Sequence, residues 1–144
     1  MAREYKVSFM VRMTNRLMAG MIRGKSAPEG MYLLTVHGRK TGKAYSAPVT
    51  LMAHDRKRWL VAPYGEVNWV KNARVTGEVN LARKGTQETL RIKELGPKES
   101  APVLKEYITK IAIVRPYFNI PPEATLEEFE AEAAQHPVFE LEQK

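Results

Sequence analysis

Segment 38–43 carries the residue types best suited to binding an anion. It reads Gly-Arg-Lys-Thr-Gly-Lys, so Arg39, Lys40 and Lys43 place three cations beside the Thr41 hydroxyl. The two glycines allow the backbone to turn tightly and leave its N–H groups accessible. The cations can form charge-assisted hydrogen bonds to phosphate or carboxylate. A solvated hairpin tip, where glycine and lysine are common, is the alternative interpretation.

Segment 61–72 carries residues suited to holding a planar ring. It joins a strand end, a Pro-Tyr-Gly turn and an aromatic-bearing helix within a dozen residues. A bound ring needs apolar walls and backbone donors, and this stretch can provide both. Trp69 can be part of such a wall, but it can equally be a core anchor for a surface helix.

The elements that position these two segments follow from hydrophobic periodicity and turn residues. Strands are expected at 32–37, 46–52, 58–62, 78–84, 86–95 and 138–142, with turns at 54–57 and around Gly85. Helices are expected at 5–24, 68–75, 98–114 and from Thr125, where Thr-Leu-Glu-Glu fits a capping box. Pro48 indicates an edge, a bulge or an open ladder in the second strand.

The order of these elements restricts the fold class. Short strands joined by hairpins favour an antiparallel closed or half-open sheet over a parallel, Rossmann-type sheet. Pro116 is expected to close helix 98–114. The side chains expected to form the buried stripe of this helix are Val103, Leu104, Tyr107, Ile108, Ile111 and Ala112.

Composition restricts the partners. The 144 residues suit one ordinary domain, and a formal net charge of +7 favours anionic partners. The positive charge is spread over helix, loop and hairpin without a recognised motif, so nucleic-acid binding is not favoured. The chain has no cysteine, and His37, His54 and His136 show no metal-ligand spacing, so no metal site is expected. We expect a cytoplasmic protein, because no apolar run is long enough to span a membrane.

Residues 1–24 are assigned to an amphipathic N-terminal helix, and residues 25–144 to the barrel domain. One side of this helix is rich in methionine and leucine, while Arg12, Arg16 and Arg23 lie mostly elsewhere. Such a helix can lie at the interface of an anionic membrane. It can equally cap the barrel or pack in a homodimer, because methionine stripes are usually buried.

The two segments together resemble the deazaflavin-dependent nitroreductase-like family. The resemblance rests on Leu34-Thr35-x-x-Gly38-Arg-Lys-Thr-Gly42, then Pro48, a Val-Ala-x-x-Gly turn and a Trp-x-x-Asn helix, and is best over about residues 30–95. It implies an α+β fold, a six-stranded antiparallel split β-barrel of the flavin-nucleotide-binding type with flanking helices. It also implies coenzyme F-420, a deazaflavin, as electron carrier in preference to FMN.

The resemblance further implies the residues of the cofactor site. Those expected near the phosphate and glutamyl tail are Arg39, Lys40, Thr41 and Lys43. Those expected to run along the ring system through backbone contacts are Ser46, Ala47, Pro48 and Val49. Those expected to bracket the ring and complete its wall are Val61, Ala62, Gly65, Trp69 and Asn72.

The implied function is hydride transfer from the reduced deazaflavin to an electron-poor lipophilic acceptor. Enones, quinones, nitro compounds and unsaturated fatty acyl groups belong to this class. A proton must follow from tyrosine or solvent, and Tyr64 and Tyr117 are the candidate catalytic donors, although each can equally be a structural aromatic. The alternative hypothesis is a non-catalytic protein that binds fatty acids or other lipids on the same barrel.

Overall fold

The computed structural model describes residues 30–144, which form a closed six-stranded barrel flanked by helices. The strands are β1 Met31–His37, β2 Ala44–His54, β3 Lys57–Val61, β4 Glu78–Arg83, β5 Thr86–Glu94 and β6 Val138–Gln143. The α-helices are α1 Asn68–Thr76, α2 Pro97–Lys110 and α3 Leu126–Glu132, with 3-10 helices at Ala112–Tyr117 and Ala133–Gln135. The predicted N-terminal helix at 5–24 and the assignment of residues 1–24 lie outside the described residues.

All neighbouring strands are antiparallel, in the order β1-β2-β3-β6-β5-β4 around the closed barrel. This architecture confirms the expected α+β class and the six-stranded antiparallel barrel. Two tight hairpins contribute to it. Asp55 and Arg56 have φ values of 49° and 68°, and Lys84 and Gly85 have 48° and 82°. Positive φ at both turn residues matches the right-handed twist of the flanking strands.

Strand β2 has an open edge over its first half. Its residues 51–54 pair with β3, whereas residues 44–50 pair, among residues 30–144, only with β1. Pro48 lies opposite Leu33 in this singly paired stretch, where a residue without an N–H removes no ladder bond on the open side. The expectation of an open ladder at Pro48 is therefore confirmed.

Two hydrophobic clusters hold the barrel and its helices together. The first fills the barrel and includes Leu34, Leu60, Leu81, Leu90 and Phe139. The second lies between the barrel and helices α2 and α3, and it includes Met52, Val61, Leu104, Ile108, Phe129 and Val138. The predicted burial of Val103, Leu104, Tyr107 and Ile108 on α2 is confirmed.

The prediction of one helix over 98–114 is wrong at its C-terminal end. Helix α2 ends at Lys110, Ile111 leaves helical geometry at φ −115° and ψ 85°, and Ala112 is exposed. Pro116 prevents residues 112–116 from being α-helical, because its ring would clash with the Ala112 carbonyl, but this clash does not account for the earlier break at Ile111. Instead of closing the helix, Pro116 lies inside the 3-10 helix Ala112–Tyr117.

Candidate functional site

The cationic loop 38–43 is closed by its own backbone. The N–H of Gly38 donates to the Lys43 carbonyl at 2.7 Å, and the N–H of Gly42 donates to the Gly38 carbonyl at 2.9 Å. The Thr41 hydroxyl accepts from the Lys43 N–H at 3.3 Å. A Cβ at Gly38 would lie 3.0 Å from the Tyr45 ring, which accounts for the glycine. These bonds occupy the amides of Gly38, Gly42 and Lys43, and the cationic side chains are the groups best suited to contact an anion.

Asn72 anchors this loop to helix α1. Its side-chain oxygen accepts from the Arg39 backbone N–H at 3.0 Å and from the Arg39 guanidinium at 2.8 Å. Asn72 is only 4% exposed, so the anchor is fixed by the packing of the helix. Two predicted site residues, Arg39 and Asn72, are therefore in contact. Asn72 is buried and supports the loop, so it is not part of the exposed surface. The guanidinium carries further N–H donors beyond the one that Asn72 accepts.

Lys40 and Lys43 are exposed cations at the tip of the loop. Among residues 30–144, neither lies within ion-pair distance of a carboxylate. The nearby turn carries Glu66, whose carboxylate pairs with Arg74 at 3.1 Å, while Arg74 also pairs with Glu94 at 2.7 Å. The charge of Glu66 is thus engaged within the protein, and the loop keeps a local excess of positive charge.

Residues 46–49 lie on the open edge of β2, but their side chains alternate between its two faces. Ser46 is exposed, and its hydroxyl lies 2.8 Å from that of Thr35 on β1. Val49 instead packs against the cluster inside the barrel. The side chains of Ser46, Ala47, Pro48 and Val49 cannot all face one ring, so the backbone edge is what the stretch can offer jointly.

The 61–65 turn places its predicted residues at different depths. Val61 and Ala62 are almost fully buried, so their side chains belong to the core. Gly65 has φ 90°, and its N–H donates to the Ala62 carbonyl at 3.3 Å. Trp69 packs against Phe139 at 6.0 Å between ring centroids, as its interpretation as a core anchor predicts.

The two candidate proton donors lie in contact. The rings of Tyr64 and Tyr117 meet edge to face with centroids 4.7 Å apart, and Tyr64 is 38% exposed. A third tyrosine, Tyr107, is buried, and this burial, together with the nearby Tyr64, raises its pKa well above the usual value. Tyr107 therefore stays a neutral phenol, and Tyr64 and Tyr117 are the tyrosines of this cluster with access to a ligand.

The family follows from a comparison of the whole sequence with known families. The model described as F420H(2)-dependent quinone reductase matches residues 7–114, about three quarters of the chain. The chain belongs to the F420H(2)-dependent quinone reductase family. This membership confirms the expected deazaflavin dependence: the protein is an oxidoreductase, and its cofactor is coenzyme F-420.

Solved structures similar to this reductase support the same barrel fold. An F420-H2 dependent reductase is 20% identical with a TM-score of 0.53, covering 79% of this chain and 95% of that one. A domain-swapped dimer is 18% identical with a TM-score of 0.58, covering 93% and 97%. A putative pyridoxamine 5'-phosphate oxidase from Listeria innocua is 10% identical with a TM-score of 0.53, covering 78% and 82%. No curated protein matches the chain.

The residues of this reductase fit a cofactor with an anionic tail. Lys40 and Lys43 are exposed without a carboxylate partner in the described part of the chain, and Arg39 is held by a neutral amide rather than a carboxylate. Arg39 is joined through Asn72 to helix α1, which follows the 62–65 turn. The open edge of β2 begins directly after the same loop, so tail and ring contacts are available side by side.

A buried pair, Glu132 and His136, was not foreseen from the sequence of the reductase. The His136 Nε2 lies 2.8 Å from a Glu132 carboxylate oxygen, and its Nδ1 lies 2.9 Å from the Pro63 carbonyl. The imidazole stacks on Phe118 with centroids 3.7 Å apart. The available signal was the four-residue spacing of Glu132 and His136, which puts two side chains on one face of a helix.

The described part of the reductase offers neither a metal site nor a membrane-spanning helix. Within residues 30–144, no three histidine or acidic side chains are placed to hold a metal ion. Over the same residues, no helix has the length and apolar character needed to cross a membrane.

Proposed function

We propose that this reductase binds coenzyme F-420 between the 38–43 loop, the open edge of β2 and the 62–65 turn, and reduces an electron-poor lipophilic acceptor. A quinone is the favoured acceptor, with enones and nitro compounds in the same chemical class. The observation that carries the proposal is the pair of exposed cations Lys40 and Lys43, without a carboxylate partner in the part of the chain that the structure describes, beside Arg39, which Asn72 holds in place. An elongated polyanionic tail suits such a cluster.

Each part of the proposed site has a separate role. The side chains of Arg39, Lys40 and Lys43 hold the anionic tail, and the backbone of β2 supports the ring. When bound, the reduced deazaflavin supplies a hydride to an electron-poor carbon of the acceptor. Holding both rings face to face removes most of the entropic barrier to that transfer. The phenol of Tyr117, or of Tyr64 in contact with it, donates the proton that completes the two-electron reduction.

Two further proposals concern membrane binding and the oligomeric state of this reductase. The basic, methionine-rich segment 1–24 is proposed to bind an anionic membrane surface, where lipophilic acceptors are concentrated. Full-length protein should sediment with anionic vesicles at low salt, and removal of residues 1–24 should reduce sedimentation while leaving cofactor affinity nearly unchanged. Full-length protein that stays in the supernatant contradicts the proposal. A homodimer is also proposed, motivated by the dimeric structural relative.

The cofactor preference tests the proposed site directly. Titration of the purified protein should show a lower dissociation constant for coenzyme F-420 than for FMN, because the three loop cations match a tail with several negative charges rather than one phosphate. Equal or tighter binding of FMN would contradict the proposed role of the loop.

A further inference from the structure

The protonation of the Glu132–His136 pair follows from its partners. A carbonyl oxygen can only accept, so the His136 Nδ1 carries a proton and donates it to Pro63. A second proton lies between Nε2 and the Glu132 carboxylate, which also accepts from the Asn119 backbone N–H at 3.0 Å. The pair is thus neutral overall, and no buried side-chain nitrogen or oxygen of the described residues lacks a partner.

This arrangement cannot deliver protons to the proposed site. The chain of hydrogen bonds ends at the Pro63 carbonyl, which has no exchangeable hydrogen to pass on. His136 is 2% exposed and Glu132 is 5% exposed, so solvent does not reload the pair readily. What the pair does is mechanical: it fixes the direction of one carbonyl at the start of the 63–65 turn.

The segment around His136 supports the turn at further points. The N–H of Ala62 donates to the Pro137 carbonyl at 2.8 Å. Gly65 lies next to this segment: a Cβ there would be in ordinary van der Waals contact with the Gln135 carbonyl, at 3.4 Å. On the other side of the imidazole, Phe118 is adjacent in sequence to Tyr117. The pair is therefore connected to both tyrosine-bearing segments.

We propose that Glu132 and His136 are positioning residues that hold the Pro63 carbonyl and, through the 63–65 turn, set Tyr64 and Tyr117 against the cofactor ring. This inference rests on the proposed placement of the ring beside the turn. It assigns a role in cofactor binding to two buried side chains that contact neither cofactor nor substrate.

A matched pair of substitutions separates the two bonds of the imidazole. The amide of His136→Asn occupies the Nδ1 position and retains the bond to Pro63, whereas the amide of His136→Gln occupies the Nε2 position and retains the bond to Glu132. Both should lower the melting temperature, His136→Asn more strongly, because it leaves the buried Glu132 carboxylate without its partner at position 136. The dissociation constant of coenzyme F-420 should rise about tenfold in His136→Gln and at most threefold in His136→Asn. Equal losses of affinity in both variants would overturn the proposal.

A second variant decides the question if His136→Gln does not fold. The double substitution Glu132→Gln/His136→Phe leaves no buried charge and keeps the ring stacked on Phe118, so stability should be close to that of the wild type. Because the Pro63 carbonyl has lost its donor, the dissociation constant of coenzyme F-420 should still rise about tenfold. Unchanged affinity in this folded variant overturns the positioning role.

Gly65→Ala distinguishes failure of this inference from failure of the proposed site, because it disturbs the turn itself at a φ of 90°. If Gly65→Ala weakens coenzyme binding while the His136 variants do not, only the positioning role is wrong. If none of them changes affinity, the ring does not lie beside the turn, and both proposals are wrong.

Discussion

The two ends of strand β2 use their positive charge in opposite ways. The strand runs from the 38–43 loop, at Ala44, to the 55–56 turn, at His54. Just beyond that turn, Arg58 makes a two-pronged pair with Glu88 at 2.8 and 2.9 Å. At the loop, the lysines have no carboxylate partner among the described residues. Charges paired within the chain serve the fold, whereas the proposed site assigns the loop cations, which lack a carboxylate partner among residues 30–144, to a ligand.

The electrostatic repulsion among the loop cations supports this distinction between the two ends of β2. The three cations of the loop repel one another, and this repulsion destabilises the loop conformation unless an anionic ligand neutralises them. The protein nevertheless uses a buried amide, Asn72, to hold Arg39 in place. A carboxylate at that position would neutralise the guanidinium, whereas the amide positions Arg39 and leaves its charge available.

The largest expected effect is on turnover at the loop end of the barrel. Removing a proton donor typically slows a reaction about a hundredfold or more, so Tyr117→Phe should lower kcat by about that factor. The dissociation constant of coenzyme F-420 and the melting temperature should change little, because the ring contact with Tyr64 is retained. Steady-state kinetics with a quinone acceptor measure this. A kcat within twofold of the wild type would assign proton delivery to Tyr64 or to solvent.

An intermediate effect is expected where the loop is anchored. Asn72→Ala leaves the Arg39 N–H and guanidinium without their common acceptor, which should destabilise the fold by about 1–3 kcal/mol. The same change should weaken coenzyme binding about tenfold, because Arg39 and its neighbours lose their fixed position. Chemical denaturation and equilibrium titration measure the two effects. A loss of stability with no loss of affinity would separate the anchor from the binding site.

The smallest effect is expected at the opposite end of β2. The hydrogen bonds from Arg58 hold the pKa of Glu88 below its usual value. A carboxylate of this kind contributes stability above its unfolded pKa of about 4.3, and the contribution is lost as pH falls through the folded pKa. Glu88→Gln should therefore cost at most about 1 kcal/mol at pH 7, since both side chains are about a third exposed.

Two measurements check the Glu88 prediction. In urea denaturation, the difference between wild type and Glu88→Gln should shrink towards zero at acid pH, where the wild-type carboxylate is protonated. Affinity for coenzyme F-420 should be unchanged at pH 7. If Glu88→Gln lost affinity for the coenzyme without losing stability, the prediction would be wrong, because the Arg58–Glu88 pair would then serve binding rather than the fold.

Local patterns in the sequence predicted most of the fold. Alternating apolar residues and short polar turns such as Asp55-Arg56 define all six strands and their hairpins. The main error was at residues 111–114, where apolar spacing continues but Ile111 leaves helical geometry and a 3-10 helix follows. Apolar spacing alone does not reveal such a break.

The sequence predicted which residues belong to the candidate site, but not which of them contact one another. Arg39 and Asn72 were both expected near the cofactor, yet their hydrogen bond joins positions 33 apart in the chain. His136 was considered in the sequence only as a possible metal ligand, because its partner Pro63 lies 73 positions away. Such long-range contacts depend on how the barrel closes, which no local sequence pattern determines.

The salt dependence of coenzyme F-420 binding to Lys40→Ala tests most directly whether the unpaired cations form the cofactor site. Lys93→Ala, which removes an exposed cation from β5, controls for net charge. At low salt, Lys40→Ala should raise the dissociation constant about tenfold to a hundredfold, and Lys93→Ala should change it less than twofold. The difference should shrink as salt is raised, because the wild-type contact is screened. Equal affinities of wild type and Lys40→Ala at low salt would show that the loop is a solvated hairpin tip.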